Sequence, residues 1–177
     1  MQQIIDWLKQ DPIRMRALEC VFQLNLSQCY IAAGFVRNLV WDHLHDKPEL
    51  SPLNDVDVIY FDQDEQDDQA YFMYEARLKT MMPELNWQVR NQARMHIRNG
   101  DRPYKSSVDA MSYWPEKETA VAVRKSLHGQ LECMSAFGFT SLLNLQLTYN
   151  PKREKGIFDT RMKSKQWLKK WANLIVR

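Results

Sequence analysis

The sequence predicts an α+β fold, a mixed β-sheet with flanking helices, from three observations. Short apolar runs rich in β-branched and aromatic residues, at 29–33 and 55–62, have strand character. Other stretches, such as 35–44, carry apolar residues at helical spacing. The two kinds follow one another as helix, strand, helix, strand, helix, strand and then a hairpin, which implies helices packed on a sheet.

Residues 2–9 and 13–24 are expected as helices separated at Asp11-Pro12, where proline cannot continue the preceding turn. Met15, Leu18 and Phe22 then share a core-facing side. The run 29–33 is expected as a buried strand ending at Gly34. A helix over 35–44 follows, with Val36, Leu39, Val40 and Leu44 as its apolar stripe. After a polar loop, 55–62 is the next strand. Asp64, Glu65, Asp67 and Asp68 suit the positive dipole end of a helix over 66–82 that stops before Pro83. Residues 87–95 read as a strand and 104–113 as a short helix. Segments 119–127 and 131–135 form a hairpin around His128-Gly129. Residues 139–149 and 159–174 read as helices, the last with Trp167, Trp171, Leu174 and Ile175 on one side.

At 177 residues, 45% apolar and 26% charged, the chain has the composition of one ordinary globular domain. No repeat or linker divides it. The expected organisation is a single domain over 1–177, with N-terminal helices in 1–28 and a C-terminal basic helix in 150–177 packed on the core. Three cysteines without close spacing argue against a disulfide framework or a four-cysteine zinc site and for a reducing compartment. The N-terminus lacks the apolar core of a signal peptide, and no stretch approaches the roughly 20 apolar residues of a membrane span. A cytoplasmic protein without a membrane partner is expected.

A net charge of +2 does not by itself imply a nucleic-acid partner. The C-terminal stretch does concentrate Lys152, Arg153, Lys155, Arg161, Lys163, Lys165, Lys169 and Lys170, interleaved with Trp167 and Trp171. Such a helix can track a phosphate backbone. More often it buries its tryptophans and leaves its lysines in water, and that arrangement is the expected one.

Chemistry concentrates in two places. In Asp55-Val56-Asp57-Val58, alternation puts both carboxylates on one side of the strand and both valines in the core. Two such acids repel unless a cation neutralises them, and oxygen-only ligands favour a hard ion such as Mg²⁺. Asp62, five residues beyond Asp57, faces the other way. In Ala33-Gly34-Phe35-Val36-Arg37-Asn38, a helix opens directly after a strand and presents free backbone N–H groups to an anion. Gly34 permits close approach of the backbone, and Arg37 offers paired donors. A third, weaker signal is the donor-rich stretch 87–96, where Arg90, Gln92 and Arg94 would share a strand face. Arg94 is a candidate nucleotide contact there.

The combination resembles the nucleotidyltransferase superfamily that includes DNA polymerase beta and the CCA-adding enzymes. YIAAGFVRNLVWDHL is similar to the Gly-Gly-x-Val-Arg-Asp segment of the CCA-adding branch, and NDVDVIYFD to its paired-aspartate strand. The resemblance extends to a bacterial family of stand-alone nucleotidyltransferase-like proteins through NQARMH, WPEKETAVAV and AFGFTSLL, spanning roughly residues 30–145.

The resemblance implies a mixed sheet with a metal site at one edge, Asp55 and Asp57 as catalytic metal ligands, and Gly34, Arg37 and Asn38 beside a triphosphate. It implies transfer of a nucleoside monophosphate from an NTP to a hydroxyl of a small molecule, an RNA end or a protein, with Mg²⁺. An alternative is a catalytically weakened nucleotide- or partner-binding module of the same fold. The sequence departs from the pattern where Phe35 replaces Gly or Ser, and where Asn38 replaces aspartate. The third acid is not obvious: Glu132, in an alternating apolar context, is the first candidate and Asp109 the second.

Overall fold

The computed structural model describes residues 1–177. Helices α1 (Gln2–Lys9) and α2 (Pro12–Phe22) meet at Asp11-Pro12. There the Asp11 carboxylate accepts from the Arg14 amide, so one dipeptide ends a helix and caps the next. Strand β1 (Tyr30–Ala32), helix α3 (Gly34–Leu44) and strand β2 (Val56–Tyr60) follow. Then come α4 (Ala70–Met81), β3 (Trp87–Asn91), α5 (Gln92–Asn99) and α6 (Ser107–Met111). The hairpin is β4 (Val121–Lys125) and β5 (Leu131–Ser135). The chain ends with α7 (Thr140–Leu143), β6 (Gln146–Leu147), α8 (Lys155–Lys165), α9 (Trp167–Lys170) and β7 (Ile175–Val176).

Five strands form a mixed sheet in the order β3-β2-β1-β4-β5. Within it only β2 and β3 run parallel; β6 and β7 form a separate parallel pair. On one face Ile31, Val56, Val58, Val89, Val121 and Val123 enter the main apolar core, which also takes residues from α1 to α4. On the other face Tyr30, Ala32, Ile59 and Ala122 meet Met111 and Ala120 in a small second cluster. Asp57 is in register with Ala32 on one side and Gln88 on the other, so it belongs to this second face. Ala32 is followed across the sheet by Ala122, and these small side chains leave open space next to Asp57.

Four expected elements differ from those observed. The strand expected over 87–95 ends at Asn91, because the Asn91 side chain accepts the Ala93 amide and starts α5. The helix expected over 66–82 begins only at Ala70. Glu65 turns inward instead, accepting hydrogen bonds from Tyr60 at 2.8 Å and from Asn91 at 2.8 Å. The helix expected over 139–149 is the single turn α7, after which Leu145 adopts a left-handed conformation and the chain enters β6. The helix expected over 159–174 breaks at Gln166, also left-handed, into α8 and α9. Trp167, Trp171 and Leu174 are buried, as expected of the C-terminal stretch, whereas Ile175 is exposed on β7. No helix is long and apolar enough to cross a membrane.

Candidate functional site

A cavity of about 390 Å³ opens over the second face of the sheet, a size suited to a nucleotide-sized ligand. Asp55, Asp57, Gly34, Arg37 and Asn38 all line it, so the structure brings these five predicted residues together. The β2–α3 relationship explains this. Strand β1 delivers the chain to the start of α3, and β2 lies directly beside β1, with Asp57 opposite Ala32 one residue before the turn.

The turn itself is strained at Ala33, not at Gly34. Ala33 sits at φ 55°, ψ −121°, a conformation costly for any residue with a Cβ. Its carbonyl accepts the amides of Val36 at 3.2 Å and Arg37 at 2.9 Å, while the amides of Gly34 and Phe35 have no backbone partner. An eleven-residue helix therefore opens at the cavity with free N–H groups. Gly34 serves a different purpose: a Cβ there would lie 3.3 Å from the Asn38 amide nitrogen and 3.6 Å from an Arg37 guanidinium nitrogen. Phe35, which departs from the superfamily pattern, is fully buried and points into the core, where its carbonyl accepts from Arg14.

Arg37 is 6% exposed and has no carboxylate at ion-pair distance. It donates to Asn38 Oδ1 through Nε and Nη2 and to Thr119 Oγ1 at 2.6 Å. Its guanidinium also packs on the rings of Trp41 at 5.2 Å and Trp167 at 4.6 Å. Burial pulls its pKa down to about 10, and the Arg161 charge adds to this, while Glu116, Asp57 and Glu118 hold it up. The result is a desolvated cation whose field reaches the cavity.

The half-buried Asp57 carboxyl is pushed above the usual carboxylate range, first by burial and then by Asp55, with Arg37, Lys165 and Arg161 opposing. No hydrogen bond contributes. Asp55 is exposed and accepts from the Asn86 amide at 2.7 Å. The loop leading to it is anchored by Asp42, a wholly buried carboxylate on α3. Asp42 accepts from the Ser51 amide at 2.7 Å, the Ser51 hydroxyl at 2.8 Å and the Trp171 indole at 2.8 Å. One acid thus ties the approach to Asp55 to the C-terminal segment.

Three other predicted residues lie elsewhere. Glu132 does share the sheet face of Asp57, but β5 is three strands from β2, about 14 Å at the usual interstrand spacing. It is ion-paired with Arg124 at 2.6 Å on the solvent side. Asp109 is held at the start of α6 by Arg102 and by the Lys105 amide. Its carboxyl lies below the ordinary range, chiefly through the Arg102 hydrogen bond. Arg94 is on α5 instead of a strand, donates to the Glu65 carbonyl and pairs with Asp68. Its expected strand partners Arg90 and Gln92 do line the cavity. Nowhere do three or more metal-ligating side chains converge.

Sequence reasoning missed one wall. Arg161, Lys165, Trp167, Lys170 and Trp171 from α8 and α9 line the same cavity as Asp57. Behind them stand Glu116, which accepts from Arg161 Nε at 2.7 Å, and Glu118, which accepts from the Thr148 amide at 2.7 Å; both are essentially inaccessible. The interleaved lysines and tryptophans were visible in the sequence, as was the segment WPEKETAVAV that holds both glutamates. Their direction was not, because it depends on contacts over more than 40 residues.

No curated protein matches the chain. Among solved structures, one described as "a CCA-adding enzyme head domain", determined by NMR, is 33% identical, with a TM-score of 0.87 over 100% of this chain and 95% of that one. Another, "tRNA-processing enzyme complex 3", is 17% identical with a TM-score of 0.48, over 75% of this chain and 35% of that one. Residues 19–176 match the model of a family described as nucleotidyltransferase. The chain belongs to that nucleotidyltransferase family, and nucleotidyl transfer is its general role.

Proposed function

We propose that the protein transfers a nucleoside monophosphate from an NTP to a hydroxyl acceptor at the cavity over Asp57. The observation that carries this reading is the convergence of Asp55, Asp57, Arg37 and the free amides of the α3 start on one cavity.

The residues fit a divalent metal. Asp57 lacks any hydrogen-bond donor and is raised by burial and by Asp55, so a hard cation would relieve both costs. Asp55 and Asp57 would hold it. When bound, it supplies neutralisation of the two acids and of charge on the phosphoryl group. The remaining work falls to the chain itself. In the reaction the acceptor hydroxyl gives up its proton to solvent, its oxygen bonds to the α-phosphorus, the bond to the bridging oxygen breaks, and pyrophosphate leaves. Such displacement depends on positioning and charge compensation more than on covalent help. The Gly34 and Phe35 amides can donate to a phosphate oxygen, and the buried Arg37 charge stabilises the negative charge gathered in front of it.

The absence of a third carboxylate near Asp55 and Asp57 favours a second reading, a nucleotide-binding module with weakened catalysis. One experiment separates the two. The protein is incubated with Mg²⁺, each α-labelled NTP and acceptors comprising RNA ends, protein hydroxyls and small alcohols. Label transfer that falls about a thousand-fold or more in Asp55→Asn and Asp57→Asn supports the enzyme. Undiminished transfer in both variants refutes the site. Tight NTP binding without transfer supports the binding module.

A further inference from the structure

We propose that α8 complete the nucleotide site: Arg161 and Lys165 grip the outer phosphates that leave as pyrophosphate, and the buried Glu116 is the positioning residue for Arg161. This rests on the nucleotide reading of the cavity and extends it to the part of the ligand that departs.

Glu116 is 0% exposed, and a lone carboxylate at such a place is costly. Both of its oxygens are taken by Arg161, through Nε at 2.7 Å and Nη2 at 3.3 Å. The Arg161 side chain remains 37% exposed and lines the cavity. One edge of its guanidinium is therefore locked to the protein, and its Nη1 donors have no protein acceptor. A cation clamped from behind and open in front is preorganised for a second, external oxyanion.

Trp167 sets the spacing. Its ring lies 4.6 Å from the Arg37 guanidinium and 5.9 Å from that of Arg161, so two cations flank one buried indole. Lys165, one turn beyond Arg161 on α8, adds a flexible ammonium to the same wall and is paired with no carboxylate. The third arginine of the cavity, Arg90, is paired with Glu75 as Arg161 is with Glu116. The cavity cations without an ion-pair partner, Arg37, Lys165 and Lys170, thus lie where the C-terminal segment meets α3. A triphosphate oriented with its inner phosphate at Asp55 and Asp57 has its outer phosphates left for this wall.

Calorimetry in Mg²⁺ buffer with inorganic pyrophosphate, an α,β-methylene triphosphate and a nucleoside monophosphate tests the proposal. Arg161→Ala and Lys165→Ala are each expected to weaken pyrophosphate and triphosphate binding about 10- to 100-fold, the loss of one charge-assisted contact, with monophosphate binding unchanged. Glu116→Gln is expected to lose about ten-fold of the preference for triphosphate over monophosphate, measured well below its melting temperature. A purely structural role of Glu116 would lower the melting temperature and leave that preference intact. Lys163→Ala removes the same charge from an exposed position of α8 outside the cavity and is expected to bind as the parent does. If the parent binds triphosphate but the Arg161, Lys165 and Glu116 variants keep its preference, the wall assigned here is wrong while the nucleotide site stands. If the parent binds neither triphosphate nor pyrophosphate, the nucleotide reading itself falls.

Discussion

Val58 and Asp57 are neighbours on one strand and live in different media. Val58, like Val56, is fully buried among α1 to α4 in the main core. Asp57, between them, faces the cavity with no hydrogen-bond donor and with its carboxyl raised by burial. The first face of the sheet is closed by large apolar side chains. The second has alanines beside the acid and a sparse cluster around Met111. Alternation along a strand, combined with unequal cover on the two faces, separates the residues that stabilise the fold from those free to do chemistry.

That division can be broken most directly by comparing the two neighbours. Val58→Ala is expected to lower stability by about 2 kcal/mol, from lost methyl burial plus a residual cavity. Asp57→Asn, in metal-free buffer, is expected to leave stability unchanged or raise it by up to about 1 kcal/mol, because it removes a desolvated charge. Denaturant titration of both variants decides; equal destabilisation would mean that Asp57 is also a structural residue.

A smaller effect sharpens the contrast at the edge of the cavity. Ala33→Gly is expected to gain about 0.5–1 kcal/mol, as relief of a conformation costing roughly 1–3 kcal/mol outweighs the added chain entropy of about 0.4–1 kcal/mol. A drop in melting temperature would show that the turn holds no strain. The smallest effect is expected at Glu132, on the same face as Asp57 but beyond the cavity. Glu132→Gln should change stability by no more than about 0.5 kcal/mol, given an exposed pair with Arg124, and leave NTP binding and label transfer as they are. A large loss of transfer would restore it as the third acid.

Three glutamates show how far local patterning reaches. Glu132 stands in an alternating apolar and polar context, and the hairpin register sets it on the Asp57 face. Strand order then sets it apart from Asp57, since β1 and β4 intervene. Glu116 and Glu118 sit in a run with no comparable signature, yet they are buried behind the cavity wall, one of them clamping an arginine 45 residues away in sequence. Arg94 leaves the expected strand for a local reason: Asn91 caps a helix, and one capping side chain converts a strand face into a helix with a different period.

The sequence by itself determined the parts of this protein that are written in short-range periodicity and residue chemistry. These are the α+β class, the β1–turn–α3–β2 unit with its glycine and arginine, the paired aspartates and the burial of the C-terminal tryptophans. Such features rest on interactions between residues a few positions apart or on alternation within one strand. Tertiary structure alone decided which strands are neighbours, which face is left open, and that α8 and α9 return to wall the cavity beside Asp57. Those outcomes come from packing between segments far apart in sequence, as between Ile31 and Val123 or Trp171 and Asp42. No local pattern encodes the direction in which such a segment docks.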